Sequence, residues 1–138
     1  MRAVGLAPAP RVMARNLDSG RVVATRVHVA TTRIERAIGL LGRSDFQLGE
    51  AMWLSPSRGV HTCGMRFTID LVGLDAAGTV VDRVVGMKPW RLRLPRRSVV
   101  GVLELPEGSL DRSDTQLGHS LSFQMVEAQD RETPTRGE

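Results

Sequence analysis

Short runs that either alternate between apolar and polar residues or are continuously apolar, separated by turn-forming residues, dominate this chain. The runs cover residues 11–15, 21–30, 51–54, 68–74, 79–85, 98–105 and 121–125. Turn chemistry rich in glycine, asparagine, aspartate or proline separates several of them, as at residues 16–20 and 75–78. A period of two is that of a β-strand, and turns at short intervals join strands into sheets. We therefore predict a mainly β fold with one α-helix, a small β-barrel or sandwich of six or more short strands.

One stretch has the period of a helix instead. Thr32 and Glu35 form a capping-box pattern, in which the two side chains bond free amides of the first helical turn. Four apolar residues then recur at helical spacing and give one apolar stripe: Ile34, Ala37, Ile38 and Leu41. We predict that 33–41 is the only long helix and that it ends at Gly42.

The length and composition are those of one domain. With 138 residues and 41% hydrophobic side chains, the chain can bury its own core. We predict a single β-rich domain over residues 11–127, between a flexible N-terminus at 1–10 and a flexible polar tail at 128–138. The one cysteine excludes an internal disulfide. No stretch has the pattern of a signal peptide or the length of a membrane span, so we expect a soluble, cytoplasmic protein.

The charge balance is basic, with a net charge of +4 and a sequence pI near 10.8. The excess is nearly all arginine, because Lys88 is the only lysine, and such a skew also arises from genome composition alone. The basic residues are spread along the chain except in residues 91–97. With five aromatic residues and no tyrosine, the chain has little with which to stack single-stranded bases. These features argue against a nucleic-acid partner.

The chemically capable side chains concentrate in residues 61–70, next to the apolar run that follows. Gly64 permits a bend there, so the polar side chains before the strand lie on a loop held by a rigid element. Seven residues are the resulting candidates for binding a ligand or a partner: His61, Thr62, Cys63, Met65, Arg66 and Asp70, with Arg43 as a further member of a charged cluster.

Three motifs together resemble one known family. They are ERAIGLLGR at residues 35–43, HTCGMRF at residues 61–67, and VLELPEG at residues 102–108. In this order and spacing they are similar to the prokaryotic family known as domain of unknown function 192, over about residues 22–126. The resemblance implies a compact, mostly β domain with one helix and no established activity. No catalytic residue follows from it.

The side chains of residues 61–70 allow more than one chemistry. Cys63 beside His61 is compatible with a nucleophilic thiol, but a free cysteine is more commonly a small buried apolar residue, which is the interpretation we prefer. His61, Cys63 and His119 are too few for a structural zinc site, so no metal and no cofactor are predicted. Asp70 is expected to pair with an arginine, and Glu104, inside an apolar strand, requires a partner if it is buried.

Two functions remain open on this basis. The first is a non-catalytic binding or accessory module that uses residues 58–70 to hold a small ligand or a partner protein. The alternative is a small enzyme, a hydrolase or a thiol-dependent enzyme, centred on His61 and Cys63. The binding module is preferred because a nucleophile, a base and a charge-stabilising group cannot all be assigned. The oligomeric state and the identity of the ligand or partner are not predicted.

Overall fold

The computed structural model describes residues 10–30, 32, 40, 41 and 43–127 of the chain. The predicted helix over 33–41 therefore lies almost wholly outside the described residues. The predicted flexible ends, residues 1–10 and 128–138, also lie outside them apart from Pro10.

Strands are the main regular elements of the described structure. They are β1 (Arg11–Asn16), β2 (Val22–Ala30), β3 (Glu50–Leu54), β4 (Val60–His61), β5 (Ile69–Leu74), β6 (Val80–Met87), β7 (Leu92–Arg93), β8 (Gly101–Pro106) and β9 (Leu121–Val126). A single-turn helix, α1 (Ser109–Arg112), follows the predicted turn at residues 106–108. The sequence pattern did not predict α1, because four residues are too few for a helical period. No helix in the described ranges is both long and apolar enough to cross a membrane.

Seven of the strands form one mixed sheet in the order β6-β5-β8-β3-β2-β1-β9. Only β2 and β3 pair in parallel, and every other neighbouring pair in this sheet is antiparallel. The edge strands approach each other at one end through a single bridge between Thr79 and Ser120. The sheet is not closed into a barrel. The predicted fold class is confirmed in its sandwich-like form: mainly β, with more than six short strands.

The second sheet consists only of β4 and β7, paired antiparallel through Val60 with Arg93 and His61 with Leu92. Residues 88–97, which include the basic run noted at 91–97, are mostly exposed. Two of them pair with β4 and so fix this segment to the loop that precedes β5.

The central strands are buried on both faces. Every residue of β5 and β8 is buried. On β5, Val72 and Leu74 belong to one apolar cluster, whereas Ile69 and Leu71 belong to a second cluster on the opposite face. This alternation agrees with the two faces predicted for residues 69–74. Two separate cores therefore sandwich the middle of the sheet.

Close packing of Trp53 on β3 against Gly101 on β8 joins the central strands. A side-chain carbon built at Gly101 would overlap the indole ring of Trp53. The same ring packs against Phe123, with ring centroids 4.9 Å apart and planes tilted by 48°. The absence of a side chain at residue 101 thus creates the space that the largest residue of this core occupies.

We expect Gly101→Ala to lower the free energy of unfolding by about 1–3 kcal/mol, because the added methyl group overpacks the core. Trp53→Leu in the same chain removes the overlap, so the double variant should lose less stability than the sum of the two single variants. Urea unfolding of the four proteins measures this coupling. Strict additivity would contradict the proposed packing.

Candidate functional site

The loop between β4 and β5 reverses direction at Gly64, whose φ of 82° is the left-handed conformation that glycine adopts most easily. The predicted bend is therefore present. The seven candidate residues differ in their environment. Some are buried, some are exposed on this loop, and some belong to neighbouring elements.

Thr62 is completely buried and joins the loop to residues 88–91. Its hydroxyl donates to the carbonyl of Lys88 at 2.6 Å and accepts from the amide of Arg91 at 2.9 Å. Its own amide donates to the Arg91 carbonyl, and its carbonyl accepts from the amide of Trp90 at 3.0 Å. With all these groups bonded to main chain, Thr62 holds two loops together and is not available to a ligand.

Cys63 and Arg66 are exposed on the same loop. The interpretation of Cys63 as a buried apolar residue is therefore wrong. The chain turns at residues 63 and 64 instead of continuing as a strand, and this turn directs the thiol outward. Within the described part of the chain, Cys63 has no hydrogen bond to His61.

Asp70 is completely buried, and its partners are backbone amides instead of the arginine that was expected. Oδ1 accepts from the amide of Gly86 at 3.0 Å, while Oδ2 accepts from the amides of Gly108 and Leu110, each at 3.1 Å. The carboxylate thus ties β5 to β6 and to the start of α1. An ion pair was predicted because charge complementarity is visible in a sequence, whereas the approach of distant main-chain amides is not.

Arg43 lies in a different environment from Asp70. Its guanidinium donates to Oε2 of Glu50 at 2.9 Å and lies 5.6 Å from the ring centroid of Phe46. Among the described residues, the predicted cluster of Arg43, Arg66 and Asp70 does not form, because each side chain has a different surrounding.

A cavity of about 460 Å³ lies next to this loop and is lined from both sheets. This volume is within the range of small-molecule sites. The apolar residues of its lining include Leu40, Leu41, Leu54, Val60, Met65 and Leu92. Its ionisable residues are Arg58, His61, Arg93 and Glu104. Of the seven candidates from the sequence, His61 and Met65 line this cavity.

Glu104 is the unusual group of the cavity. It lies on the central strand β8, directly opposite Met52 on β3 and Leu71 on β5, and is 3% exposed. Its Oε2 atom has no hydrogen-bond partner in the described structure. Burial raises the pKa of the Glu104 carboxyl to about 7, because desolvation disfavours the charged form. Buried polar atoms normally have a hydrogen-bond partner, so Glu104 is unusual among the described residues.

The two arginines of the cavity differ in whether an acidic side chain neutralises their charge. Nε of Arg93 donates to Oδ2 of Asp82 at 3.0 Å, and its second nitrogen bonds Oδ1 of the same carboxylate. The hydrogen bond from Arg93 lowers the pKa of Asp82, although burial opposes it. Arg58 is exposed and, within the described ranges, has no acidic partner. Arg58 and His61 therefore give the cavity wall a basic character.

Sequence reasoning identified Glu104 as a residue that needs a partner, but it did not place Glu104 in a site. The available signal was the acid inside the apolar run at residues 102–105. The cavity itself depends on β7 pairing with β4, which no local pattern encodes. In the described part of the chain, no group of three or more His, Cys, Asp or Glu side chains is arranged to hold a metal ion.

Comparison with known sequences identifies relatives of this chain. The model of the family DUF192, described as Uncharacterized ACR, matches residues 14–123, which confirms the resemblance found in the three motifs. A UPF0127 protein of Pyrococcus furiosus is 30% identical over 113 residues, covering 78% of this chain and 95% of the relative.

Two solved structures have a similar fold. A protein of unknown function from Novosphingobium aromaticivorans superimposes with a TM-score of 0.70 at 20% identity, covering 88% of this chain and 98% of its own. A protein from Sinorhizobium meliloti, provisionally named a transcription regulator, has a TM-score of 0.71 at 21% identity, with coverages of 86% and 96%. At these identities the similarity concerns the fold alone.

The hydrogen bonds of Asp70 predict that the free energy of unfolding depends strongly on both oxygens of its carboxylate. Asp70→Asn replaces one acceptor oxygen by an NH₂ group that faces amide donors, so we expect a loss of about 3 kcal/mol in unfolding free energy. Asp75 is the matched control, because only its Oδ1 accepts, from the amides of Ala77 and Thr79. Asp75→Asn retains that acceptor and should change stability by less than about 0.5 kcal/mol. Equal effects in urea unfolding would contradict this account of Asp70.

Glu104 predicts a specific pH dependence of stability. Because its pKa is about 7 in the folded protein and 4.5 for an ordinary solvated glutamate, the folded state binds the proton more tightly. The contribution of this proton to the free energy of unfolding is complete below about pH 4.5 and is lost as the pH rises through about 7. The total loss is about 3 kcal/mol. Glu104→Gln removes this dependence. The difference in unfolding free energy between wild type and Glu104→Gln, measured from about pH 4.5 to about pH 8, should therefore shift by that amount; a constant difference would refute it.

Proposed function

We propose that this chain, which belongs to the DUF192 family, is a non-catalytic binding module that holds a small, mainly apolar molecule in the cavity lined by His61 and Glu104. The observation that supports the proposal is the buried Oε2 of Glu104, which has no hydrogen-bond partner among the described residues although its side chain lines a cavity. The cost of leaving such an atom unpaired favours any occupant that can bond to it.

The charges around the cavity favour a ligand with a hydrogen-bond acceptor. A carboxyl group with a pKa of about 7 is substantially protonated at neutral pH and can then donate a hydrogen bond. Arg58 lines the same cavity without an acidic partner in the described structure, and its charge disfavours a cationic ligand. A carbonyl oxygen on an apolar body therefore fits Glu104 better than an amine does, while the leucines and Met65 surround the apolar part.

The enzyme alternative has less support. A thiol-dependent reaction at Cys63 requires a base or cation next to the sulfur, and Cys63 neither lines the cavity nor bonds His61 in the described structure. The part of the 58–70 segment that we assign to binding is Arg58, His61 and Met65. The cytoplasmic location expected from the sequence stays a prediction.

Binding of hexanamide and of hexylamine, an amide and an amine of equal chain length, tests the ligand class by ligand-observed NMR. We expect the amide to bind and its affinity to fall about tenfold per pH unit above about pH 7, because the donor proton of Glu104 is lost. Glu104→Gln retains a donor, so it should bind the amide with no such dependence. Glu104→Leu should weaken amide binding about tenfold by leaving the carbonyl oxygen unpaired.

Two controls separate the cavity from the surrounding loop. Cys63→Ser and Arg66→Ala change exposed residues outside the cavity and should leave amide binding unaltered. Preferential binding of the amine, with affinity rising above about pH 7 and lost in Glu104→Gln, would show that Glu104 acts as a carboxylate and overturn the proposed ligand class. Loss of binding in Cys63→Ser with a folded chain would favour the thiol-dependent alternative.

A further inference from the structure

Three large apolar side chains project from residues 88–97, here called the 88–97 segment. Trp90, Leu92 and Leu94 are 68%, 67% and 69% exposed, and they lie within five residues of one another. Single exposed apolar residues are ordinary, but a cluster with a tryptophan is typical of an interaction surface. Because these side chains are about two-thirds exposed, they project from the surface, and Leu92 in addition lines the cavity.

The charge of the chain is concentrated in the same segment. It contains five of the 19 cationic residues and none of the 15 acidic ones, so the rest of the chain has one more acid than base. Asp82 bonds Arg93 and lies 3.6 Å from Arg96, which leaves Lys88, Arg91 and Arg97 without an acidic partner in the described structure. The partner of this surface must therefore be both apolar and anionic.

The segment is held in this conformation by specific contacts. The amides of Trp90 and Arg91 bond the carbonyl and hydroxyl of the buried Thr62. Trp90 has a φ of 63°, an uncommon conformation for a residue with a side chain. Gly59 packs against the main chain of residues 93–95 so closely that a side chain there would overlap it. A fixed loop loses little conformational entropy when its side chains enter another phase.

We propose that the 88–97 segment is a peripheral contact for an anionic lipid surface. Tryptophan and leucine enter the boundary between headgroups and acyl chains, while arginine and lysine beside them attract anionic headgroups. Single-stranded nucleic acid fits less well, because leucine does not stack on bases and the segment has one aromatic residue. A peptide helix requires a groove, whereas these side chains project. The inference does not require the cavity to be occupied.

Sedimentation of the full chain with phosphatidylcholine vesicles, with or without phosphatidylglycerol, tests the proposal. We expect binding only to the anionic vesicles, together with a blue shift of tryptophan emission. Leu92→Ser combined with Leu94→Ser should weaken binding at least tenfold, whereas Leu117→Ser combined with Met125→Ser, at similarly exposed positions elsewhere, should not. Arg91→Gln and Arg97→Gln should each lower the affinity about fivefold, and the exposed Arg11→Gln should have no effect.

Further variants identify the residue that produces the blue shift, and several outcomes would contradict the lipid-surface proposal. Trp90→Phe should abolish the blue shift while sedimentation persists, since Trp53 is the only other tryptophan and packs in the core. Absence of binding to anionic vesicles at low salt would overturn the proposal, as would equal binding by the double serine variant. Tighter binding to single-stranded DNA than to vesicles, unchanged by the leucine substitutions, would identify a nucleic-acid surface instead. A self-association that the double serine variant abolishes, without vesicle binding, would identify a second copy as the partner.

Discussion

Burial of both faces of the central strands is the constraint on which the rest of this structure depends. β5 and β8 have no exposed residue, so each polar side chain on them must find a partner inside the protein or remain unpaired. The two acids of these strands meet this constraint in opposite ways. Asp70 and Glu104 lie on neighbouring strands but face different cores, since Asp70 pairs with Leu105 and Glu104 with Leu71 in the ladder.

Asp70 is stabilising because its two oxygens accept three main-chain hydrogen bonds. Hydrogen bonds to a carboxylate compensate for its desolvation and fix the elements that donate them. Among the described residues no such donor reaches Oε2 of Glu104, and desolvation by burial raises the pKa of its carboxyl. A side chain that destabilises the strand on which it lies is typical of a functional position, where the group is retained because it contacts a ligand.

The short sheet of β4 and β7 connects the two proposed surfaces. It lines the cavity through His61, Leu92 and Arg93, and the 88–97 segment, which contains β7, presents apolar side chains to solvent. Leu92 belongs to both, because it lines the cavity and is largely exposed. Thr62 holds this arrangement by bonding the main chain of residues 88, 90 and 91.

The sequence by itself determined the β-rich class, the approximate positions of the seven strands of the main sheet, the two faces of residues 69–74, the bend at Gly64 and the family. These features depend on local periodicity, on glycine conformation or on a set of motifs, all of which are present in the chain itself. It also determined that Glu104 needs a partner if buried. Its local patterns did not determine that Cys63 is exposed, that Asp70 bonds amides, or that His61 and Glu104 share a cavity. Those facts depend on which distant segments meet. The pairing of β4 with β7 and of β5 with β8 brings together residues 27 to 37 positions apart, and only the tertiary structure decides such contacts.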